Sequence, residues 1–159
     1  FEWSGSPEVY KTTEDWEDIR QVSDSYFSQK AALYHYYGTA RNTYEEYLCG
    51  ELVSYKKYFY ALRPLLAAVY IERFQTIPPV AFSELLQSLH QEELEPVIAE
   101  LLERKRVTKE KERNPHMPEI LRFIQTELSR QKQIAASLPD DHNRDWTELN
   151  ACFRRVVGI

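Results

Sequence analysis

With only four glycines and two cysteines, this chain lacks the residues on which two common architectures depend. Strand-rich folds place glycine at their tight turns, so few hairpins are expected. Cys49 and Cys152 are far apart, with neither a CxxC nor a metal-ligand spacing, which fits a reducing cytoplasm and two ordinary buried thiols and gives no support to a disulfide. The histidines at 35, 90, 116 and 142 have no ligand spacing either, and GxSxG, P-loop and HExxH patterns are all missing. These absences exclude the usual hydrolase, NTPase and zinc-enzyme signatures, and the chain alone is not expected to be an enzyme. No signal peptide or lipidation motif is present, and the sequence starts at Phe1 without an initiator Met, so it is expected to be a fragment of something longer. There is no internal repeat and no low-complexity tract.

What the chain does contain is aromatic and helical in character. Eleven Tyr and three Trp, with 43% hydrophobic and 28% charged residues, are the proportions of one soluble globular domain with aromatic packing. The net charge of −5 opposes indiscriminate nucleic-acid binding. It is unevenly distributed, because residues 1–24 carry seven acids against Lys11 and Arg20, which leaves the cations clustered later.

The most apolar run, Lys56 to Ile71 (KKYFYALRPLLAAVYI), is expected to be the central helix. Tyr55, Phe59, Leu62, Leu66 and Val69 form one stripe and Tyr58, Leu65 and Ala68 the next, leaving little polar circumference. Arg63 and Pro64 interrupt the run, which falls short of the roughly 20 residues a bilayer requires, so no membrane span is expected. Pro64 lacks the N–H that would meet the Tyr60 carbonyl and is expected to kink or divide the helix. Lys56, Tyr60 and Arg63 recur at i, i+4 and i+7, so they share a face, two cations flanking a phenol with Lys57 alongside. Burying those cations without a partner would cost several kcal/mol per ion, so they must face either acids or a cleft.

The flanking segments read as helices around this one. Residues 13–26 form an acidic helix start capped by Thr12 or Thr13, with Trp16, Ile19 and Phe27 as apolar contacts. Leu33, Tyr37, Ala40, Tyr44 and Leu48 mark the inner face of a helix over 28–48, with Gly38 allowing close backbone approach and Gly50 as its C-terminal cap. The helices at 28–48 and 54–74 are joined by a short link and predict an antiparallel central pair, on which His35 and Arg41 become candidates for the same site as Lys56. A lone helix histidine is more often structural than catalytic, and Arg41 is the better functional candidate, although Glu45 four residues on is placed for an ordinary surface ion pair. Pro78-Pro79 breaks the chain before further helices at 82–89 and 91–109, a helix marked by Leu121, Ile124, Leu128 and Ile134, and a last one marked by Trp146, Leu149, Phe153 and Val156. The stretch RKRVTKEKER (104–113), with six cations and two acids, reads either as an RNA-binding patch or as cations complementing a helix C-terminus in a solvated connector.

Three stretches resemble a known group. KKYFYALRPLLAAVYI followed by TIPPVAFSELL resembles the C-terminal region of predicted bacterial nucleotidyltransferases of the DNA polymerase β superfamily, the group associated with RNA repair. EWSGSPEVY resembles the EWL-x-SP-x-x-Y segment that follows their catalytic core, and HYYGTARNTY resembles their HY-x-x-x-A-x-x-x-Y helix. The matches lie in the family's order over residues 1–86.

The apolar faces and short link predict an all-α domain of six or seven helices over 13–159, and the resemblance implies that this is the C-terminal domain of a bacterial protein, joined by residues 1–12 to a missing upstream catalytic domain. It further implies NTP and an RNA acceptor as partners, Mg²⁺ held by the catalytic domain, and a phosphate-binding set of Lys56, Tyr60, Arg63, Arg41, Lys57 and His35. Gly5-Ser6 with Asp15-Trp16-Glu17 imitates the superfamily's metal-binding pattern, but the Thr cap and helical spacing favour an ordinary acidic helix start. A second class of function stays open: a non-catalytic helical interaction module in which Lys56 and Arg63 pair internally with Glu45, Glu46 or Glu51.

Overall fold

The computed structural model describes residues 4–109 and 112–159. Its elements are α1 (Asp15–Asp24), α2 (Gln29–Tyr47), β1 (Leu52–Val53), α3 (Tyr55–Phe74), α4 (Phe82–Leu89), α5 (Glu95–Val107), β2 (Asn114–Pro115), α6 (Pro118–Ser137) and α7 (Thr147–Val157). The fold is all-α with seven helices, and the one sheet among the described residues is a two-residue antiparallel ladder pairing Leu52 with Pro115 and Val53 with Asn114.

Helix α3 is the centre because eleven of its twenty residues are buried, and α2, α4, α5 and α6 all pack on it. Leu62, Leu65, Leu66 and Ile71 are fully buried, each contributing about 1.5–3 kcal/mol. Pro64 is buried within this helix, which runs undivided through it. The Gln29 side chain reaches the Ile71 carbonyl (3.4 Å), so the start of α2 lies beside the end of α3 and the pair is antiparallel. Helix α6 closes the other side with Ile120, Ile124 and Leu128. It also buries Glu127 and Gln131, which join Arg130 and Glu72 of α3 in one network (Arg130–Glu72 2.6 Å, Arg130–Glu127 2.9 Å, Gln131–Glu72 3.1 Å). Glu127 and Glu72 hold the Arg130 proton more firmly than usual, against the effect of burial.

Several local expectations are corrected. Helix α1 begins at Asp15 with Glu14 as its N-cap and no side-chain capping bond, and Thr13 contributes only its carbonyl, to the Trp16 N–H (3.1 Å). A Cβ at Gly38 would meet nothing within 4 Å, so no backbone packs closely there. Helix α2 ends on Leu48, and Gly50 serves instead as an acceptor for His116. Cys49 is exposed and only Cys152 is buried, and both are free thiols. Helix α7 packs against α1, leaving Trp146, Phe153 and Val156 exposed, so its apolar stripe lies outside the main core. Among the described residues, no helix is long and apolar enough to cross a membrane.

Candidate phosphate-binding site

The site is built where α3 begins. The ladder fixes its entry: Val53 is fully buried in β1, and behind it the fully buried Tyr58 accepts from the Met117 N–H (3.1 Å) and bonds to His116 Nδ1 (2.7 Å). His116 Nε2 lies 2.7 Å from the Gly50 carbonyl, which can only accept. A neutral His116 protonated on Nε2 therefore satisfies every group, with Tyr58 donating to Nδ1. Burial pushes the Tyr58 phenol up, partly offset by the Met117 N–H. This chain of bonds, buried at Tyr58 and Met117, ties the first turn of α3 to the start of α6.

Ser54 occupies the N-cap of α3 with an extended backbone, yet its hydroxyl makes no capping bond. A helix start leaves N–H groups without intrahelical partners and carries the positive end of the helix dipole. Facing it is the last turn of α5, pinned by Arg104, which donates to the Tyr55 hydroxyl (3.2 Å) and to Glu100 (2.5 Å). Tyr55 and Glu100 raise the Arg104 pKa above its ordinary value. Thr108 closes the turn by donating to the Arg104 carbonyl (2.6 Å).

Between these two helix ends lies an open cleft of about 310 Å³, lined by Ser54, Tyr55, Lys56, Lys105, Thr108 and Lys109. Among the described residues, its lining offers three ammonium groups and hydroxyls, and no carboxylate. Such a set suits phosphate oxygens, with lysines as point charges and the helix start supplying oriented N–H groups.

The predicted residues divide between this cleft and other places. Lys56 lines the cleft and lies 5.8 Å from the Tyr60 ring centre, while Lys57 is 5.2 Å from Tyr60 and 3.4 Å from Tyr47. Tyr60 therefore has Lys56 and Lys57 beside it, in place of the expected Lys56 and Arg63. Arg63 donates from Nε and from NH2 to the Val80 carbonyl (3.3 and 3.2 Å), which ties α3 to the segment entering α4. Arg41 lies over Tyr37 (5.8 Å), bonds to Asn42 (3.1 Å) and pairs with Glu45 at 3.8 Å, all on its own exposed helix face. His35 meets Tyr36 edge-on (5.3 Å) in the first half of α2, toward the far end of α3. Of the acids named as internal partners, Glu45 is the one paired with Arg41, while Glu46 hydrogen-bonds Tyr47 and raises its phenol pKa.

Lys105, Thr108 and Lys109 were missed as members of the Lys56 site. Their signal was the basic run 104–113, whose Glu110 and Lys111 lie outside the described residues. Spacing along one helix cannot show that a second helix end meets it. Asp15 and Glu17 sit in the first turn of α1 and not on a strand, with Glu17 3.9 Å from Arg20.

Residues 1–155 match RlaP, the RNA repair pathway DNA polymerase beta family, so the match extends well beyond the motifs in residues 1–86. The chain is 38% identical over 159 residues to the uncharacterized protein YcgL of Bacillus subtilis (strain 168), covering 99% of this chain and 61% of that relative. It thus spans about three-fifths of the relative's length. No solved structure matches it. By the extent of the first match, the chain belongs to the RNA repair pathway DNA polymerase beta family.

Proposed function

We propose that this chain is the helical part of a nucleotidyltransferase and that the cleft between α3 and α5 receives phosphate groups of the NTP or of the acceptor during nucleotidyl transfer. The observation that carries this reading is the convergence of Lys56, Lys105 and Lys109 on a helix start whose Ser54 makes no capping bond. Phosphoryl and nucleotidyl transfer depend on positioning and on neutralising phosphate charge, which is the kind of help three lysines give. Lys57 and Tyr60 extend the cationic surface along the next turn of α3. Arg63, Arg41 and His35 take structural roles in this reading, because each is engaged away from the cleft.

Among the described residues the cleft lining offers no carboxylate to a divalent cation, and Asp15 with Glu17 on a helix does not reproduce a strand-borne metal pair. Mg²⁺ therefore belongs to a catalytic region carried elsewhere in the longer protein, where it would activate the attacking and leaving oxygens. The family membership supports the reaction class.

The test uses protein of the relative's full length, supplied with labelled NTP, Mg²⁺ and RNA. Lys56→Ala with Lys105→Ala should raise KM for NTP or for acceptor by roughly tenfold or more, the size of a lost charged hydrogen bond, with the melting temperature unchanged. Unchanged kinetics in an active enzyme would sink the phosphate role and favour an interaction module. The 159-residue chain alone should incorporate no nucleotide with Mg²⁺ or Mn²⁺. Incorporation that disappears with Asp15→Ala and Glu17→Ala would overturn the placement of the catalytic acids.

A further inference from the structure

The opposite end of the α2–α3 pair carries a second site of different chemistry. A groove of about 690 Å³ runs beside the first turns of α2, with Tyr26, Tyr34 and Trp146 as its aromatic walls and Lys30, Asp140, His142 and Arg144 at its polar margin. It adjoins a pocket of about 360 Å³ that shares Tyr26 and His142 and reaches His35 and Pro78. The Tyr26 and Trp146 rings stack at 5.7 Å and 22°, and Tyr26 is fixed by donating its hydroxyl to the Asp145 carbonyl (2.5 Å). Trp146 remains 56% exposed and Tyr34 46% exposed, so two large ring surfaces stand in water beside each other on a rigid frame.

The three acids beside these rings are each engaged by hydrogen bonds. Asp141 turns both oxygens to the start of α2, accepting from the Ser28 hydroxyl (2.5 Å) and from the N–H groups of Gln29 (2.6 Å) and Lys30 (3.3 Å). Asp145 accepts from the Thr147 N–H (3.0 Å) at the start of α7. Asp140 is held by His142 (2.6 Å) and by one terminal nitrogen of Arg144 (2.5 Å). Arg144 uses only that one of its nitrogens and is 81% exposed, and Lys30 uses one donor, to the Leu138 carbonyl (2.6 Å). Exposed stacking rings flanked by cations with donors to give are the elements of a single-strand binding surface.

Distance decides what this groove is for. It lies beside Ile71, while the lysine cleft lies at Lys56, and fifteen residues of helix separate them by about 22 Å. One nucleoside triphosphate cannot occupy both. We propose that the groove binds a single-stranded RNA, its bases stacking on Tyr34 and on the Tyr26–Trp146 pair and its phosphates meeting Lys30 and Arg144. This rests on the nucleotidyl-transfer reading for the class of partner and assigns the acceptor strand a place apart from the lysine cleft.

The experiment titrates the chain with a fluorescently labelled short oligoadenylate and reads anisotropy, with the Trp146 indole N–H followed by NMR. Tyr34→Ala and Trp146→Leu should each weaken binding roughly tenfold, the order expected for one lost stacking contact, while Trp146→Phe keeps most of the affinity. The Trp146 resonance should shift on titration of the wild-type chain, a readout that does not depend on any variant folding. Wild-type protein that fails to bind, unchanged affinity in both ring-removing variants, or equal binding of duplex RNA would each overturn the proposal. Lys56→Ala with Lys105→Ala separates the two ideas: loss of oligoadenylate binding in that variant but not in the ring variants would sink the groove and leave the phosphate cleft standing.

Discussion

The two helices at the centre of this fold start at opposite ends of the molecule, and their starts are finished in opposite ways. Helix α2 is closed by its own chain: Ser28 accepts from the Ala31 N–H (3.0 Å), and Asp141, more than a hundred residues away, accepts from Gln29 and Lys30. Helix α3 has a serine in the same position, but Ser54 makes no capping bond, and among the described residues three lysines line the cleft beside it. Both starts present partial positive charge. One is neutralised by an internal carboxylate and serves stability, and the other opens on a cleft whose described lining includes three lysines.

The largest effect on folding should therefore come from the closed end. Asp141→Ala is expected to destabilise the chain by about 1–2 kcal/mol, the range of a lost helix cap, measured by urea unfolding. It removes the link between α2 and the loop before α7. The same end should respond to pH. Burial pushes the Asp141 carboxyl up, but the Ser28 hydroxyl and the Lys30 and Gln29 N–H groups outweigh it, so its folded pKa lies below 3.8. A depressed carboxylate pKa contributes stability that is fully present above the unfolded value and is lost as pH falls through the folded one. Wild-type stability should thus fall below about pH 4 more steeply than that of Asp141→Asn; parallel curves would remove Asp141 from the account.

Arg63→Ala sits between the two ends and should cost about 1 kcal/mol of stability through its lost bonds to Val80, while changing phosphate affinity by less than about twofold. A tenfold loss of affinity with an unchanged melting temperature would return Arg63 to the binding set. The smallest effect should be Ser54→Ala, within about 0.5 kcal/mol in unfolding experiments, because its hydroxyl caps nothing. The corresponding change at the other helix, Ser28→Ala, should cost about 1 kcal/mol.

How much of this could be read from the chain differs between the two ends for a physical reason. The central helix was legible because apolar residues around its whole circumference can only be buried, and the shared face of Lys56 and Tyr60 followed from helical period alone. The composition of each site was not. Lys105 and Lys109 reach Lys56 only because Arg104 pins the end of α5 to Tyr55, and Asp141 reaches α2 only through the loop after α6. Such pairings are set by tertiary packing, which leaves no local period in the sequence. The buried Glu127 and Gln131 escaped notice for a related reason: polar residues on an inner face look like solvent-facing ones until Glu72 is seen on another helix, accepting from Gln131 and sharing Arg130 with Glu127. The apolar stripe of α7 erred in the other direction, since its pattern predicted burial and most of it stays exposed.

The central claim is that the start of α3 is an anion site, and calorimetric titration of the chain with inorganic tripolyphosphate at low and at physiological salt tests it most directly. Wild-type protein should bind, more weakly as salt rises, and Lys56→Ala combined with Lys105→Ala and Lys109→Ala should abolish binding while the chain still unfolds cooperatively in urea. Tripolyphosphate binding of equal strength in wild type and triple variant, or none in either, would contradict the account.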